Sequence, residues 1–261
     1  MNIIAIDIGN TNIGIGLFLE DEQKSFESIS GKANAKIAKS LKSAWNQMPL
    51  VKGSKEKKRD GVIVVSSVKS AWTKTVRQIA KEDLHEKIYL IGKNVPLPIT
   101  MWVDEPEKVG TDRVVCAAMA YDVVEEAVVV IDCGTAMTID LVDENGIFQG
   151  GVICPGLETG AEALNKSAAQ LPKVKLCRPE APYGKNTNDA INCGLYYSAI
   201  GTIEDVIRRY AEQIGNWPRT ILTGSAAKLI KDDCEFIDNY VPNLVLKGIV
   251  MAFRKYIENK Q

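Results

Sequence analysis

Two segments of the sequence repeat one order of residue types: an apolar run, an aspartate, a glycine, a threonine and a second apolar run. They are residues 3–14, which carry Asp7, and residues 128–140, which carry Asp132. Glycine lets an anionic ligand approach the backbone closely, where N–H groups and a threonine hydroxyl can donate to phosphate oxygens. A carboxylate faces phosphate only through a cation, so the pattern predicts a nucleotide with Mg²⁺ or another metal, often held through water.

A simpler interpretation exists for each aspartate taken alone. An aspartate at a strand end often accepts a hydrogen bond from its own backbone and has no ligand. Two copies, each between apolar runs, make that interpretation weaker. The sequence contains no G-x-x-x-x-G-K-[ST] loop, and no G-x-G-x-x-G follows the first strand. A chain that handles ATP with these segments therefore does so without a P-loop lysine.

A third carboxylate, Asp112, lies in the segment Gly110-Thr111-Asp112-Arg113 just before a predicted helix. Asp112 could be the N-cap of that helix. Thr111 could fill the same role, which would leave Asp112 to face a cleft. Composition does not decide between the two.

The overall composition narrows the function classes. The net charge of −1 gives no electrostatic reason to expect nucleic acid or an anionic membrane as a partner, and the charged run 52–60 is interpreted as a solvated loop. His85, the single histidine, lies among charged residues, which leaves acid–base work to carboxylates. The six cysteines have no metal-site or disulfide spacing, and no signal peptide or membrane span is expected. A cytoplasmic protein is predicted.

Hydrophobic periodicity predicts a duplicated α/β architecture. Each half reads strand–strand–strand–helix–strand–helix, and a closing strand is well supported only in the first half. The fold class expected is a pair of ribonuclease-H-like or actin-like domains, 1–108 and 109–261, each a mixed sheet flanked by helices, with a cleft between them. The helix near the C-terminus could pack back on the first half. The predicted strands are 2–7, 12–19, 24–29, 62–65, 87–92, 128–132, 136–142, 147–153 and 219–223; the predicted helices are 33–48, 70–81, 115–123, 157–164, 188–214, one from 226, and 244–256.

Several motifs in order resemble those of the type III pantothenate kinases, and the resemblance covers essentially the whole chain. The motifs are Asp7–Asn12, Gly110–Arg113, Asp132–Thr138, Gly150–Leu157, Leu171-Pro172 and Gly184–Thr187. The resemblance implies ATP-dependent phosphorylation of the terminal hydroxyl of pantothenate, the first step towards coenzyme A. It also implies a homodimer whose pocket is completed across the interface.

The same resemblance implies a role for each matched residue. Asp112 would be the catalytic carboxylate, Asp132 would hold a monovalent cation, K⁺ or NH₄⁺, and Asp7 would face Mg²⁺ through water. The residues implied to bind ATP and its phosphates are Asp7, Ile8, Gly9, Asn10, Thr11, Asn12, Ile13, Gly14 and Thr135. The residues implied to bind pantothenate are Gly110, Thr111, Asp112, Arg113 and Thr187, and the planar fork of Arg113 suits a carboxylate.

Two positions depart from the family pattern, and two other functions compete. Val103 stands where the family usually has a tyrosine that lines the pantothenate pocket, and Ser225 stands where it tends to have glycine.

The alternative function is a nucleotide-binding regulatory or accessory protein of the same fold without kinase turnover. A sugar or acetate kinase of the same superfamily is disfavoured by the motifs at Gly110–Arg113 and Gly184–Thr187.

Overall fold

The computed structural model describes residues 1–20, 22–54 and 58–260. The strands are β1 (Ile3–Ile8), β2 (Asn12–Leu19), β3 (Glu22–Ser30), β4 (Val62–Ser67), β5 (Ile88–Leu90), β6 (Thr100–Met101), β7 (Val128–Cys133), β8 (Ala136–Val142), β9 (Ile147–Pro155), β10 (Arg219–Thr223) and β11 (Asn239–Tyr240). The α-helices are α1 (Asn34–Gln47), α2 (Ser70–Asp83), α3 (Thr111–Val124), α4 (Leu157–Ser167), α5 (Thr187–Ile214), α6 (Ala227–Ile230) and α7 (Leu244–Glu258), with 3₁₀ turns at Pro106–Lys108 and Lys231–Asp233.

The first sheet has five strands in the order β3-β2-β1-β4-β5. The β1–β2–β3 meander is antiparallel, whereas β4 and β5 join in parallel after helical connections. All four residues of Ile3–Ile6 are buried, because β1 is the central strand and is covered on both faces. A central strand of this kind reads as a continuous apolar run rather than as an alternation.

The second sheet repeats that plan and adds one strand. Its order is β11-β10-β7-β8-β9-β6. Read from β9 to β11, the order matches that of the first sheet, with β7 in the place of β1 and β10 in the place of β4. The β7–β8–β9 meander is antiparallel and β10 joins β7 in parallel. The predicted duplication is therefore confirmed at the level of sheet topology.

The chain clusters into two compact units. Unit 1 comprises Met1–Ile99, Glu107–Met119 and Val245–Gln261, and unit 2 comprises Thr100–Pro106 and Ala120–Leu244. The last helix thus groups with unit 1, as does the first part of α3. The predicted division into two domains between residues 108 and 109 stays a prediction.

Unit 1 buries apolar side chains on both faces of its sheet. On one face of the sheet, a cluster of buried residues of β1, β2 and β4 packs against α1. Ile37 and Leu41 of that helix are fully buried and have the spacing of one helix face. The other cluster joins Ile3, Ala5 and Val64 to α7, through Leu246 and others. The opposite directions of successive strand residues explain why neighbours in β1 belong to different clusters.

Unit 2 has one main cluster, which packs β7, β8 and β10 against α5. Ile203 and Ile207, one turn apart on α5, are fully buried there. Helix α5 begins after Asn186, whose Oδ1 accepts from the N–H of Asp189 at 3.0 Å, and it ends at Gly215 in the left-handed conformation. Both ends are common helix caps.

A few elements of the structure differ from those predicted from the sequence. The two-residue strands β6 and β11 were not predicted, and the helix expected from 226 is one turn long. The charged run 52–60 falls partly outside the described residues, as does Asp21 in the expected turn after β2. Within the described ranges, no helix combines the length and the apolar character that crossing a membrane requires.

Candidate functional site

The first aspartate turn lies in unit 1 and joins β1 to β2. Asp7 is half-buried on β1 and lies opposite Gly14 and Ser66 in the strand register. The N–H of Gly9 donates to the carbonyl of Asn12 at 3.1 Å and closes the turn. A Cβ on Gly14 would lie 3.4 Å from Cε2 of Phe26 and 3.9 Å from Cβ of Asp7, which are ordinary contact distances.

The start of α3 is tied to the end of β4 by hydroxyl groups. Oγ of Ser66 and Oγ1 of Thr111 are 2.8 Å apart, and the N–H of Ser67 donates to the same Oγ1 at 3.2 Å. Ser66 is fully buried, and a buried hydroxyl with a partner avoids the cost of a lost hydrogen bond. These contacts hold Gly110–Arg113 beside Ser66, the residue that lies opposite Asp7 in the sheet.

Asp112 is the second residue of α3, so it lies inside the first turn of the helix. Its Oδ1 accepts a hydrogen bond from the N–H of Arg113 at 2.8 Å. Burial raises the pKa of the Asp112 carboxyl, while that hydrogen bond and the positive charge of Arg113 oppose the rise. A carboxyl with a raised pKa is a better proton acceptor than an exposed one, and such groups concentrate at functional sites.

Gly110 leaves room for the carboxylate. A Cβ at Gly110 would lie 2.4 Å from Oδ1 of Asp112 and 3.4 Å from Cγ1 of Val68. A side chain at residue 110 would force the Asp112 carboxylate to move, so the orientation of Asp112 depends on the glycine.

Unit 1 also brings a lysine to the first turn that the sequence did not single out. Nζ of Lys69 donates to the carbonyl oxygen of Asn10 at 3.0 Å. Lys69 and Asn10 are far apart in sequence and meet because β1 and β4 run side by side and end together. The sequence signal for this contact was limited to the predicted strand before Lys69.

The second aspartate turn lies in unit 2 and joins β7 to β8. Asp132 is half-buried and lies opposite Thr138 on β8 and Thr223 on β10. The N–H of Gly134 donates to the carbonyl of Ala136 at 3.0 Å. This turn is one residue shorter than the Asp7 turn, since Cys133 pairs with Met137 whereas Ile8 pairs with Ile13.

Gly224 packs against that turn in a backbone conformation suited to glycine. Its φ is +99°, and a Cβ there would lie 2.5 Å from Oδ1 of Asp132 and from the backbone of Cys133. The N–H of Ala226 donates to the carbonyl of Cys133 at 2.9 Å. Burial first, and then the charge of Asp132, raise the pKa of the Cys133 thiol to about 12.

The backbone of Thr135 is held by the start of α4. Its carbonyl accepts from Oγ1 of Thr159 at 2.6 Å and from the N–H of Gly156 at 3.1 Å. A Cβ on Gly156 would lie 2.1 Å from the carbonyl oxygen of Gly134. The predicted phosphate end of the site is therefore supported by Thr159, Gly156 and Gly224. Their roles depend on close approach of the backbone, and only that criterion could have singled them out in the sequence.

The remaining predicted residues also lie in unit 2. Thr187 is the exposed first residue of α5. Val103 lies next to Gly150, where a glycine Cβ would be 3.5 Å from Cγ1 of Val103, whereas the adjacent Trp102 is 75% exposed. Ser225 is exposed directly after Gly224. The predicted residues thus form one set in unit 1, around Asp7 and Asp112, and another in unit 2.

The donors present suit a metal that is held mainly by a nucleotide. Over the ranges 1–20, 22–54 and 58–260, no group of three or more His, Cys, Asp or Glu side chains is placed to hold a metal ion. Mg²⁺ is commonly bound through one or two carboxylates together with substrate phosphates and waters. Asp7, half-buried at a strand end beside a glycine turn, is a carboxylate of the required kind.

Solved structures with the same topology define the structural class. Over 98% of this chain and 99% of that one, the chain is similar to a protein from Campylobacter jejuni described as a Baf family transcriptional activator, with a TM-score of 0.60 and 18% identity. It is also similar to MreB 5 of Spiroplasma citri, with a TM-score of 0.52 and 11% identity over the whole of this chain. These likenesses show the fold alone. The expected actin-like class is confirmed.

Sequence comparison then gives the family. The family model for type III pantothenate kinase matches residues 3–209. The type III pantothenate kinase of Geobacillus sp. (strain WCH70) is 31% identical over 262 aligned residues, which cover 99% of this chain and 100% of the relative. The chain belongs to the type III pantothenate kinase family. Members of a kinase family use ATP with a divalent metal.

Proposed function

We propose that this chain transfers the terminal phosphoryl group of ATP to the terminal hydroxyl of pantothenate, the first step towards coenzyme A. Membership of the family over residues 3–209 supports the reaction. The observation in the structure that carries it is Asp112, a half-buried carboxylate in the first turn of α3 whose pKa is raised by burial. The hydroxyl network of Ser66 and Thr111 holds that turn against β4.

Asp112 orients the pantothenate hydroxyl and accepts its proton late in the transfer. Phosphoryl transfer passes through a loose transition state, so positioning and neutralisation of charge matter more than a strong base. Burial brings the pKa of Asp112 closer to the working pH and so improves it as an acceptor. The hydrogen bond from the N–H of Arg113 keeps Oδ1 in place during this step.

The segment Gly110–Arg113 binds pantothenate, with the guanidinium of Arg113 directed at its carboxylate. Oγ1 of Thr111 already bonds to Ser66 and Ser67. Thr111 therefore acts by holding the segment in place, and its backbone faces the substrate. Thr187 contributes a further polar contact from the start of α5.

Residues 7–14 bind the phosphates of ATP through the glycine turn, with Asp7 facing Mg²⁺ through water. In unit 2, Thr135 contacts the phosphate end of the nucleotide and Asp132 holds K⁺ or NH₄⁺. The close contacts of Gly224 and Gly156 with that turn support a fixed geometry there. When bound, Mg²⁺ neutralises charge on the transferred group.

We also propose that the active form is a homodimer in the cytoplasm. The support is the family membership alone. Sedimentation of the purified protein, compared with the 28.6 kDa mass of one chain, would test the dimer.

A coupled assay of ADP release tests the function. ADP release should require pantothenate, Mg²⁺ and K⁺ or NH₄⁺ together, and Na⁺ in place of K⁺ is the matched control for ionic strength. Release of ADP that is indifferent to pantothenate would contradict the proposal. Binding of ATP without turnover on pantothenate would instead support a regulatory protein, and turnover on a sugar or acetate would support another kinase.

A further inference from the structure

The turn proposed to bind ATP phosphates carries no cationic side chain of its own. Residues 7–14 contain neither lysine nor arginine. Kinases with a P-loop place a lysine on the β- and γ-phosphates, where the positive charge stabilises the transition state. A cation from elsewhere in the chain can supply that charge, and an observed hydrogen bond connects Lys69 to the turn.

The backbone of Lys69 is fixed. Its N–H donates to Oγ of Ser67 at 3.1 Å, and its carbonyl accepts from Oγ1 of Thr73 at 3.1 Å. Oγ of Ser67 and Oγ1 of Thr73 are 2.7 Å apart, which closes a small network at the start of α2. The side chain of Lys69 therefore projects from a defined point beside the end of β1.

The ammonium group of Lys69 is held in two ways. Nζ donates to the carbonyl oxygen of Asn10 at 3.0 Å, and it lies 3.6 Å from the ring centroid of Trp72. An ammonium has three N–H donors, so these contacts leave it the capacity to donate to a phosphate oxygen as well. A cation over an aromatic ring is attracted to the face of the ring.

Trp72 is built into the same part of unit 1. A Cβ on Gly31 would lie 2.0 Å from the Trp72 ring, so the ring packs directly on the glycine backbone. The N–H of Gly31 donates to the carbonyl of Thr11 at 3.1 Å. A series of contacts therefore runs from the turn at residues 7–14 through Gly31 and Trp72 to Lys69.

A solvated surface lysine is the competing explanation. Such a lysine gains little from a fixed position, because ordering its long side chain costs conformational entropy. Lys69 is instead half-buried. Its ammonium contacts the backbone of the turn at which the proposed reaction requires positive charge.

We propose that Lys69 binds the ATP phosphates at the Asp7–Gly14 turn and supplies the charge that a P-loop lysine supplies in other kinases, with Trp72 positioning its ammonium. This inference rests on the proposed kinase function. In the absence of nucleotide the ammonium bonds to Asn10, and a phosphate oxygen becomes an additional or replacement acceptor.

Steady-state kinetics test the assignment. Lys69→Met keeps the length of the side chain and removes its charge, and we expect kcat/KM for ATP to fall about tenfold, equivalent to about 1.4 kcal/mol. The KM for pantothenate at saturating ATP should stay unchanged. Lys69→Arg should retain kcat/KM for ATP within about threefold, since guanidinium also binds phosphate. Lys74→Met, at an exposed lysine of α2 near Lys69, is the matched control and should equal the wild type.

Equilibrium binding separates this inference from the kinase proposal. Lys69→Met should weaken binding of ATP about tenfold and leave binding of adenosine unchanged, because adenosine has no phosphate. That result would support the role of Lys69 even if the wild type released no ADP with pantothenate, an outcome that would overturn the kinase proposal alone. A wild type that binds no ATP would overturn both proposals.

Three results would overturn the role of Lys69 itself. They are kinetics of Lys69→Met equal to those of Lys74→Met, an equal loss of ATP and adenosine binding, and a change confined to the KM for pantothenate. Lys69→Gln is measured in parallel, with circular dichroism of each variant, so that the conclusion does not depend on the folding of one protein.

Discussion

Replacing Asp112 with asparagine should abolish activity and raise stability at the same time. Asparagine keeps an oxygen that can accept the hydrogen bond from the N–H of Arg113, and it has nearly the same shape. It cannot accept the pantothenate proton, so kcat should fall by about 10²–10⁴, the usual contribution of general acid–base catalysis.

The stability gain follows from the direction of the pKa shift. Burial raises the pKa of Asp112 in the folded protein, so the folded state holds the proton to a higher pH than the unfolded state does. Ionisation of Asp112 therefore destabilises the fold at every pH above its folded pKa, and this penalty disappears as the pH falls to the unfolded value, near 3.9. Each unit of difference between the two pKa values costs about 1.4 kcal/mol. Asparagine removes the penalty because it does not ionise.

Thermal unfolding at several pH values measures the effect. About 1 kcal/mol moves the Tm of a protein of this size by roughly 2–4 °C. The Tm of Asp112→Asn should exceed that of the wild type at about pH 7, and the difference should shrink as the pH is lowered through the folded pKa of Asp112. Asp60→Asn, at an exposed position in the same unit, is the control and should change neither Tm nor kcat appreciably.

Two outcomes would refute this reasoning. A variant with a lower Tm than the wild type at pH 7 would show that the charged carboxylate contributes favourable contacts that outweigh its burial. A kcat within threefold of the wild type would show that Asp112 is not the proton acceptor. In the wild type, the acidic limb of the kcat/KM profile should lie above the pH expected of an exposed aspartate.

Glycine substitutions give three further predictions. Gly110→Ala places a Cβ 2.4 Å from Oδ1 of Asp112, so kcat should fall at least tenfold while circular dichroism stays native. Gly224→Ala combines a φ of +99° with a Cβ 2.5 Å from Oδ1 of Asp132, and it should lower the free energy of unfolding by about 1–3 kcal/mol in a urea titration. Gly201→Ala has no neighbour within 4 Å and lies inside α5, so the same titration should show a gain of about 0.5–1 kcal/mol; a loss there would indicate that this face of α5 is covered.

Local pattern was enough to predict the duplicated core of the fold. The runs that became β1 and β7 are apolar up to Asp7 and Asp132 because both strands are central. The helices α1, α2 and α5 were predicted within a few residues from their apolar spacing.

Features set by tertiary contacts could not be predicted in this way. Strands β6 and β11 are two residues long and exist because a neighbouring strand offers them hydrogen bonds. The bond between Ser66 and Thr111 joins residues 45 apart in sequence, and nothing local to either serine or threonine marks it. The contact of Lys69 with Asn10 is of the same kind, since it depends on which strands lie side by side.

The chemistry of Cys133 has a practical consequence for chemical labelling. A thiol attacks an electrophile as the thiolate, and a pKa of about 12 keeps Cys133 protonated at neutral pH. Maleimides and other cysteine reagents should therefore leave the turn that carries Asp132 intact. Cys177 is exposed on the described surface, so it offers an attachment point for a fluorophore or spin label.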